Sequence, residues 1–116
     1  MTEMRYFKLS DFNCQETGNN EMCEKFLTRL DDLRHKTGFP FVITSGYRDP
    51  AHSIEAAKTS PGRHAEGIAA DIKYNSSFQS YMIVKNALEM GFSGVGIAKT
   101  FIHVDTRKDV PKMWCY

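Results

Sequence analysis

Apolar residues Met22, Phe26, Leu30 and Leu33 fall four, four and three apart along the chain. That spacing gathers them on one face of a helix beginning near Glu21, with Glu24, Lys25, Asp31 and Asp32 off the face. Gly18-Asn19-Asn20 breaks the chain beforehand and offers Asn19 or Asn20 as the N-cap. Gly38 and Pro40 end the helix. His35 sits in the last turn, where a cation suits the dipole, and reads as a solvated end residue. A second long helix is expected from Phe78 to Met90, entered past Ser76 and Ser77 and stopped at Gly91. Asp49-Pro50 starts a short one that runs to about Lys58, with proline in its first turn. Phe7 to Phe12 reads as a short extended segment. Phe41-Val42-Ile43-Thr44 is a dense run of β-formers and reads as a buried strand. Further strands are expected at Gly67 to Lys73, Gly94 to Ala98 and Phe101 to Asp105, the last two joined by a short hairpin near Lys99-Thr100.

Helices set apart from a small, mostly antiparallel sheet make the class α+β, with two main helices and a short one flanking the sheet. No repeat, linker or low-complexity segment interrupts the 116 residues, so one domain spanning 1–116 is expected. Hydrophobic residues at 41% and charged residues at 25% fit a chain that buries a core. Fifteen Lys and Arg against fourteen Asp and Glu leave a formal charge of +1, which offers no electrostatic footprint for nucleic acid. No apolar run approaches the roughly 20 residues of a membrane span. Met1 to Arg5 carries no apolar signal region, so synthesis in the cytoplasm without a signal peptide is expected. Three cysteines, Cys14, Cys23 and Cys115, suit free thiols, with a Cys14–Cys23 bridge as the alternative.

Chemistry concentrates at strand ends. His64 precedes one expected strand, Asp71 lies within it, and His103 lies on another. The small residues Gly67, Ala69 and Ala70 would let both side chains of the first pair return to one point. Two imidazoles and a carboxylate are a ligand set for zinc with a fourth position open. The period of a strand puts His103 and Asp105 on one face and Ile102 and Val104 on the other. Asp105 could then accept a proton from a metal-bound water, or orient a ligand from behind. Ser45-Gly46-Tyr47-Arg48 ends the first strand, where an arginine suits a carboxylate or a developing oxyanion. His52 follows one helical turn later. Taken singly, each residue also has a structural reading: a packed strand histidine, a strand-end carboxylate, a surface ion pair of Arg48 with Asp49 or Glu55. Glu66 reads as a solvated carboxylate, and it is the other acid near enough to serve as a base.

Three segments carry a resemblance: Ser45-Gly46-Tyr47-Arg48, His64-x-x-Gly67-x-Ala69-Ala70-Asp71-Ile72, and Phe101-Ile102-His103-Val104-Asp105-Thr106-Arg107. Together they resemble the zinc D-Ala-D-Ala carboxypeptidase family of metallopeptidases, in the branch of small single-domain carboxypeptidases and murein peptidases of bacteria and phages. The similarity runs from Phe7-Lys8-Leu9-Ser10-Asp11-Phe12 to Trp114-x-Tyr116. It implies that the sheet carries a zinc site, with His64, Asp71 and His103 as ligands of Zn²⁺. It further implies that Arg48 holds the substrate's carboxylate or carbonyl oxygen and that Asp105 matches the family's acid two residues past the last ligand. Other branches place an acid three residues before that ligand, a position that Thr100 fills here. Arg63 stands where the family usually has Ser, and Ser53 where it often has Asn.

The implied function is zinc-dependent hydrolysis of a peptide bond in the peptidoglycan stem peptide or cross-link. Asp105 is expected as the proton acceptor, with Arg48 sharing the charge on the carbonyl oxygen and His52 positioning substrate. Ser45, Tyr47 and Arg63 are expected to line the substrate site, Arg63 as a positive rim for an anionic stem peptide. A non-catalytic wall-binding or virion-binding module on the same fold is the alternative. The chain is expected to act as a monomer without a separate wall-binding domain. It would reach the wall after holin release or from the virion.

Overall fold

The computed structural model describes residues 4–48 and 62–116. The short helix expected from Asp49 to Lys58, and His52 with it, lies outside the described residues. Among the described residues no helix is long and apolar enough to cross a membrane.

The first element is a 3-10 helix, Leu9–Phe12, where the pattern suggested extended chain. Its cause is local. The Asp11 carboxylate accepts from the Lys8 amide at 2.9 Å, and the Asp11 amide donates back to the Lys8 carbonyl at 3.0 Å. The turn drives Phe12 into the core. Helix α1 spans Glu24–Thr37 and starts three residues later than the apolar spacing suggested. Asn20 does not cap it. The Asn20 carbonyl oxygen accepts from the Met22 amide, and its NH₂ donates to the Leu9 carbonyl and the Asn13 side chain. The asparagine therefore ties the preceding turn together, which is the competing use of such side chains. His35 is exposed, as expected of a helix end, and meets the Tyr6 hydroxyl at 2.7 Å. Helix α2 spans Ser77–Glu89, with the Ser76 hydroxyl accepting from the Gln79 amide as a true N-cap.

The strands are β1 Val42–Ser45, β2 Ala69–Lys73, β3 Gly94–Ile97, β4 Phe101–Asp105 and β5 Lys112–Cys115. They form one sheet in the order β1-β2-β4-β3-β5. The first three pairings are antiparallel and β3 with β5 is parallel, so the sheet is mixed and mostly antiparallel. Strand β5 was not expected. Its four residues are mostly exposed and carry no alternation for a pattern to detect.

One face of the sheet carries Ala70, Ile72, Ile102, Val104 and Val95 into a single apolar core. Phe26, Leu27, Leu30 and Leu33 of α1 and Ile83 and Ala87 of α2 close over them. Both helices therefore occupy one side of the sheet, and among the described residues neither covers the opposite face. The cysteines carry no disulfide.

Ile102 is fully buried in the row that Ile72 and Ile97 share with it. Ile102→Ala should cost about 2–5 kcal/mol of unfolding free energy by leaving a cavity. The exposed Met113→Ala should stay within about 0.5 kcal/mol of the parent. Urea unfolding of both variants checks that the core lies over the central strands and leaves the β5 edge open.

Candidate metal centre

Cross-strand pairing sets one residue from every strand in a line. Ser45 pairs with Asp71, Asp71 with His103, His103 with Gly96, and Gly96 with Trp114. Directly opposed residues share a face of the sheet. A bulge between Ile43 and Ser45 brings β1 into this line at its end. His64 reaches the same point from the turn before β2. That turn is held by the Arg48 amide donating to the His64 carbonyl at 3.1 Å and the Gly67 amide donating to it at 3.2 Å.

His64, Asp71 and His103 are all buried, and their donor atoms converge within 4.8 Å of one another. Each imidazole has one nitrogen committed elsewhere. His64 Nδ1 stands 2.8 Å from the Gly46 carbonyl, which can only accept, so Nδ1 carries the proton there. His103 Nε2 stands 2.7 Å from Asp105 Oδ2, an ionised carboxylate that likewise accepts. The remaining nitrogens, His64 Nε2 and His103 Nδ1, approach Asp71 Oδ1 at 3.2 and 3.1 Å.

Two imidazole lone pairs and a carboxylate oxygen thus face one point inside the protein. Electron-rich atoms so close and so buried require a cation or a shared proton between them. Ligands bound to zinc at about 2.1 Å with tetrahedral angles stand about 3.4 Å apart. The two separations are close to that value, and nitrogen and carboxylate donors are the chemistry zinc takes. The residues fit the ion.

Without metal, protons do part of this work. Burial opposes the charge on Asp71, but hydrogen bonds from His103 and His64 outweigh it and bring its pKa to about 2. Burial also opposes the charged form of His103, and hydrogen bonds to Asp105 and Asp71 overcome it, raising its pKa.

Asp105 stands behind the ligands, fully buried. Its Oδ1 accepts from the Arg107 amide and Nε at 3.1 and 2.9 Å. Its Oδ2 accepts from an Arg107 terminal nitrogen at 2.6 Å and from His103. A carboxylate has about four acceptor positions, and four donors fill these. Burial works against its charge, yet the Arg107 and His103 bonds hold its pKa well below the carboxylate range. Space for this arrangement comes from Gly94, where a Cβ would lie 2.1 Å from the Asp105 carboxylate.

The other expected site residues make contacts of their own. The half-buried Arg48 donates from a terminal nitrogen to the Ser45 hydroxyl at 3.3 Å, which places it at the end of the line beside Asp71. Tyr47 is buried, and its hydroxyl donates to Glu21 at 2.9 Å. Arg63 donates to Glu66 at 3.0 Å and to both oxygens of Asp109 at 2.8 and 2.9 Å, so two carboxylates balance its charge. Glu66 is exposed and engaged in that pair.

Arg107, quoted only as the end of the third resembling segment, and Gly94 and Gly96 were assigned no site function from the sequence. The available signal was glycine at two-residue spacing in a strand beside His-x-Asp, marking a face where larger groups must fit.

The family profile described as Peptidase M15 matches residues 5–105, which includes all three converging donors and ends at Asp105. No curated protein matches the chain.

A metal competes with a proton at His103 more strongly than at a free imidazole, because hydrogen bonds to Asp105 and Asp71 raise its pKa despite burial. Zinc uptake should therefore release protons, and affinity should weaken as pH falls through that raised value. Calorimetric titration in two buffers of different ionisation enthalpy measures the release. His103→Ala should abolish it.

Proposed function

The chain belongs to the peptidase M15 family, a family of zinc metallopeptidases, and we propose that it hydrolyses a peptide bond of the peptidoglycan stem peptide or cross-link. The observation that carries this reading is the convergence of His64 Nε2, Asp71 Oδ1 and His103 Nδ1 within the matched residues.

His64, Asp71 and His103 would hold Zn²⁺, each imidazole fixed by a hydrogen bond on its far nitrogen. When bound, the ion supplies a Lewis acid for the scissile carbonyl and a water acidic enough to act near neutral pH. Arg48, steadied by Ser45, is positioned to accept a substrate carboxylate or a carbonyl oxygen gaining charge. His52, four residues past Arg48 in the sequence, is assigned to substrate positioning. Among the described residues no helix packs over this face of the sheet, which suits an extended peptide lying along the donors.

Asp105 takes a different role from the proton acceptor that spacing suggested. With four donors on its two oxygens and a depressed pKa, it is best suited to fix the tautomer of His103 and the direction of its Nε2–H bond. Charge on that carboxylate makes the facing Nδ1 a better donor.

Wild-type protein should contain one zinc and release a defined muropeptide fragment from purified peptidoglycan, whose mass names the bond. His103→Ala should lose both. A zinc-free His103→Ala that still cleaves would remove the metal from the account. Asp105→Asn should weaken zinc binding by about 10–100-fold. Unchanged zinc affinity with lost turnover would instead make Asp105 the proton acceptor.

A further inference from the structure

The strand β5 lies beyond the residues that the family profile matches, yet it delivers an aromatic ring to the metal ligands. Trp114 pairs in register with Gly96, which pairs with His103 on the other side. The indole and the His103 imidazole have centroids 5.2 Å apart at 48°. Only a residue without a side chain at 96 permits this. A Cβ there would lie 2.7 Å from Cε2 and Nε1 of the indole. Arg107, the residue that grips Asp105, also lies over the indole, with Cζ 5.0 Å from its centroid. A closed circuit results: His103 to Asp105, Asp105 to Arg107, Arg107 to Trp114, and Trp114 back to His103.

Trp114 is half-buried and stands outside the apolar core. Its ring neighbours are His103, Arg107 and Tyr116. A tryptophan placed for core packing would face the helices. This one faces the polar side of an edge strand.

We infer that Trp114 is a positioning residue for the metal centre, holding the His103 ring in the plane that turns Nδ1 toward Asp71. The inference rests on the reading of His64, Asp71 and His103 as zinc ligands. Hydrogen bonds at Nε2 and Nδ1 set the direction of the imidazole, but their angular tolerance still lets the ring tilt about its Cβ–Cγ bond. The indole closes off that motion from one side, and the cation–π contact with Arg107 holds the indole in turn.

The test is metal binding. Zinc affinity is measured by competition with a chromogenic chelator, and Co²⁺ is added separately to read ligand geometry from its visible absorption bands. Trp114→Ala should lower zinc affinity by about 10–100-fold, the range seen when groups that orient metal ligands are removed, and should alter the Co²⁺ spectrum. Trp114→Phe restores an aromatic face and should recover most of the affinity and the parent spectrum. Loss of general packing would not be rescued in the spectrum. Trp114 is the single tryptophan of the chain, so wild-type emission should also change in step with zinc occupancy, independently of whether Trp114→Ala folds. Parent affinity and an unchanged Co²⁺ spectrum in Trp114→Ala would overturn the inference and leave the ligand set standing. An emission that ignores zinc would overturn it as well. A wild-type protein that binds neither metal would overturn the ligand set itself.

Discussion

Three buried acceptor atoms pointing at one another are the constraint on which the rest of this structure turns. A carboxylate oxygen of Asp71 receives His64 Nε2 and His103 Nδ1 at near-equal distance, and both imidazoles have spent their other nitrogen on a hydrogen bond. Left alone, such a cluster repels itself in a medium that water cannot screen. A divalent cation resolves the repulsion with all three donors at once. In its absence protonation of His103 would relieve part of it, and hydrogen bonds to Asp105 and Asp71 raise that residue's pKa despite its burial.

The fold exists to bring those atoms together from distant stretches of chain. Helices α1 and α2 cover one face of the sheet with a continuous apolar core, so the other face can carry polar groups without competing for burial. Register then does the placing. Antiparallel pairing of β2 with β4 sets Asp71 opposite His103. Two positions along the ladder, Ala69 lies opposite Asp105. The alternation of β3 puts Val95 in the core while Gly94 and Gly96 yield their space, one to the Asp105 carboxylate and the other to the Trp114 indole. A side chain at either glycine would collide with a group that orients His103.

Strand periodicity made much of this legible beforehand. His103 and Asp105 on one face, with Ile102 and Val104 on the other, follows from a period of two, and the structure has that arrangement. The apolar spacing of Met22, Phe26, Leu30 and Leu33 likewise located α1, though not its start, because Asn20 spends its side chain on the turn before the helix. The 3-10 helix at Leu9–Phe12 escaped because its cause, the Asp11 carboxylate closing on the Lys8 amide, leaves no periodic trace. Pairings between distant residues were the least legible part. Nothing in Lys112 to Cys115 announces a strand that pairs with Gly94 to Ile97. The charge balance of Arg63 was hidden for the same reason, since Asp109 lies 46 residues away.

The central claim is that the cation-binding atoms are His64 Nε2, Asp71 Oδ1 and His103 Nδ1, with Nε2 of His103 turned to Asp105. Crystals grown with zinc and measured on either side of the zinc absorption edge test it directly. The account predicts one anomalous peak about 2.0–2.2 Å from each of those three atoms. A peak bound through His103 Nε2, or no peak among the three residues, would contradict it.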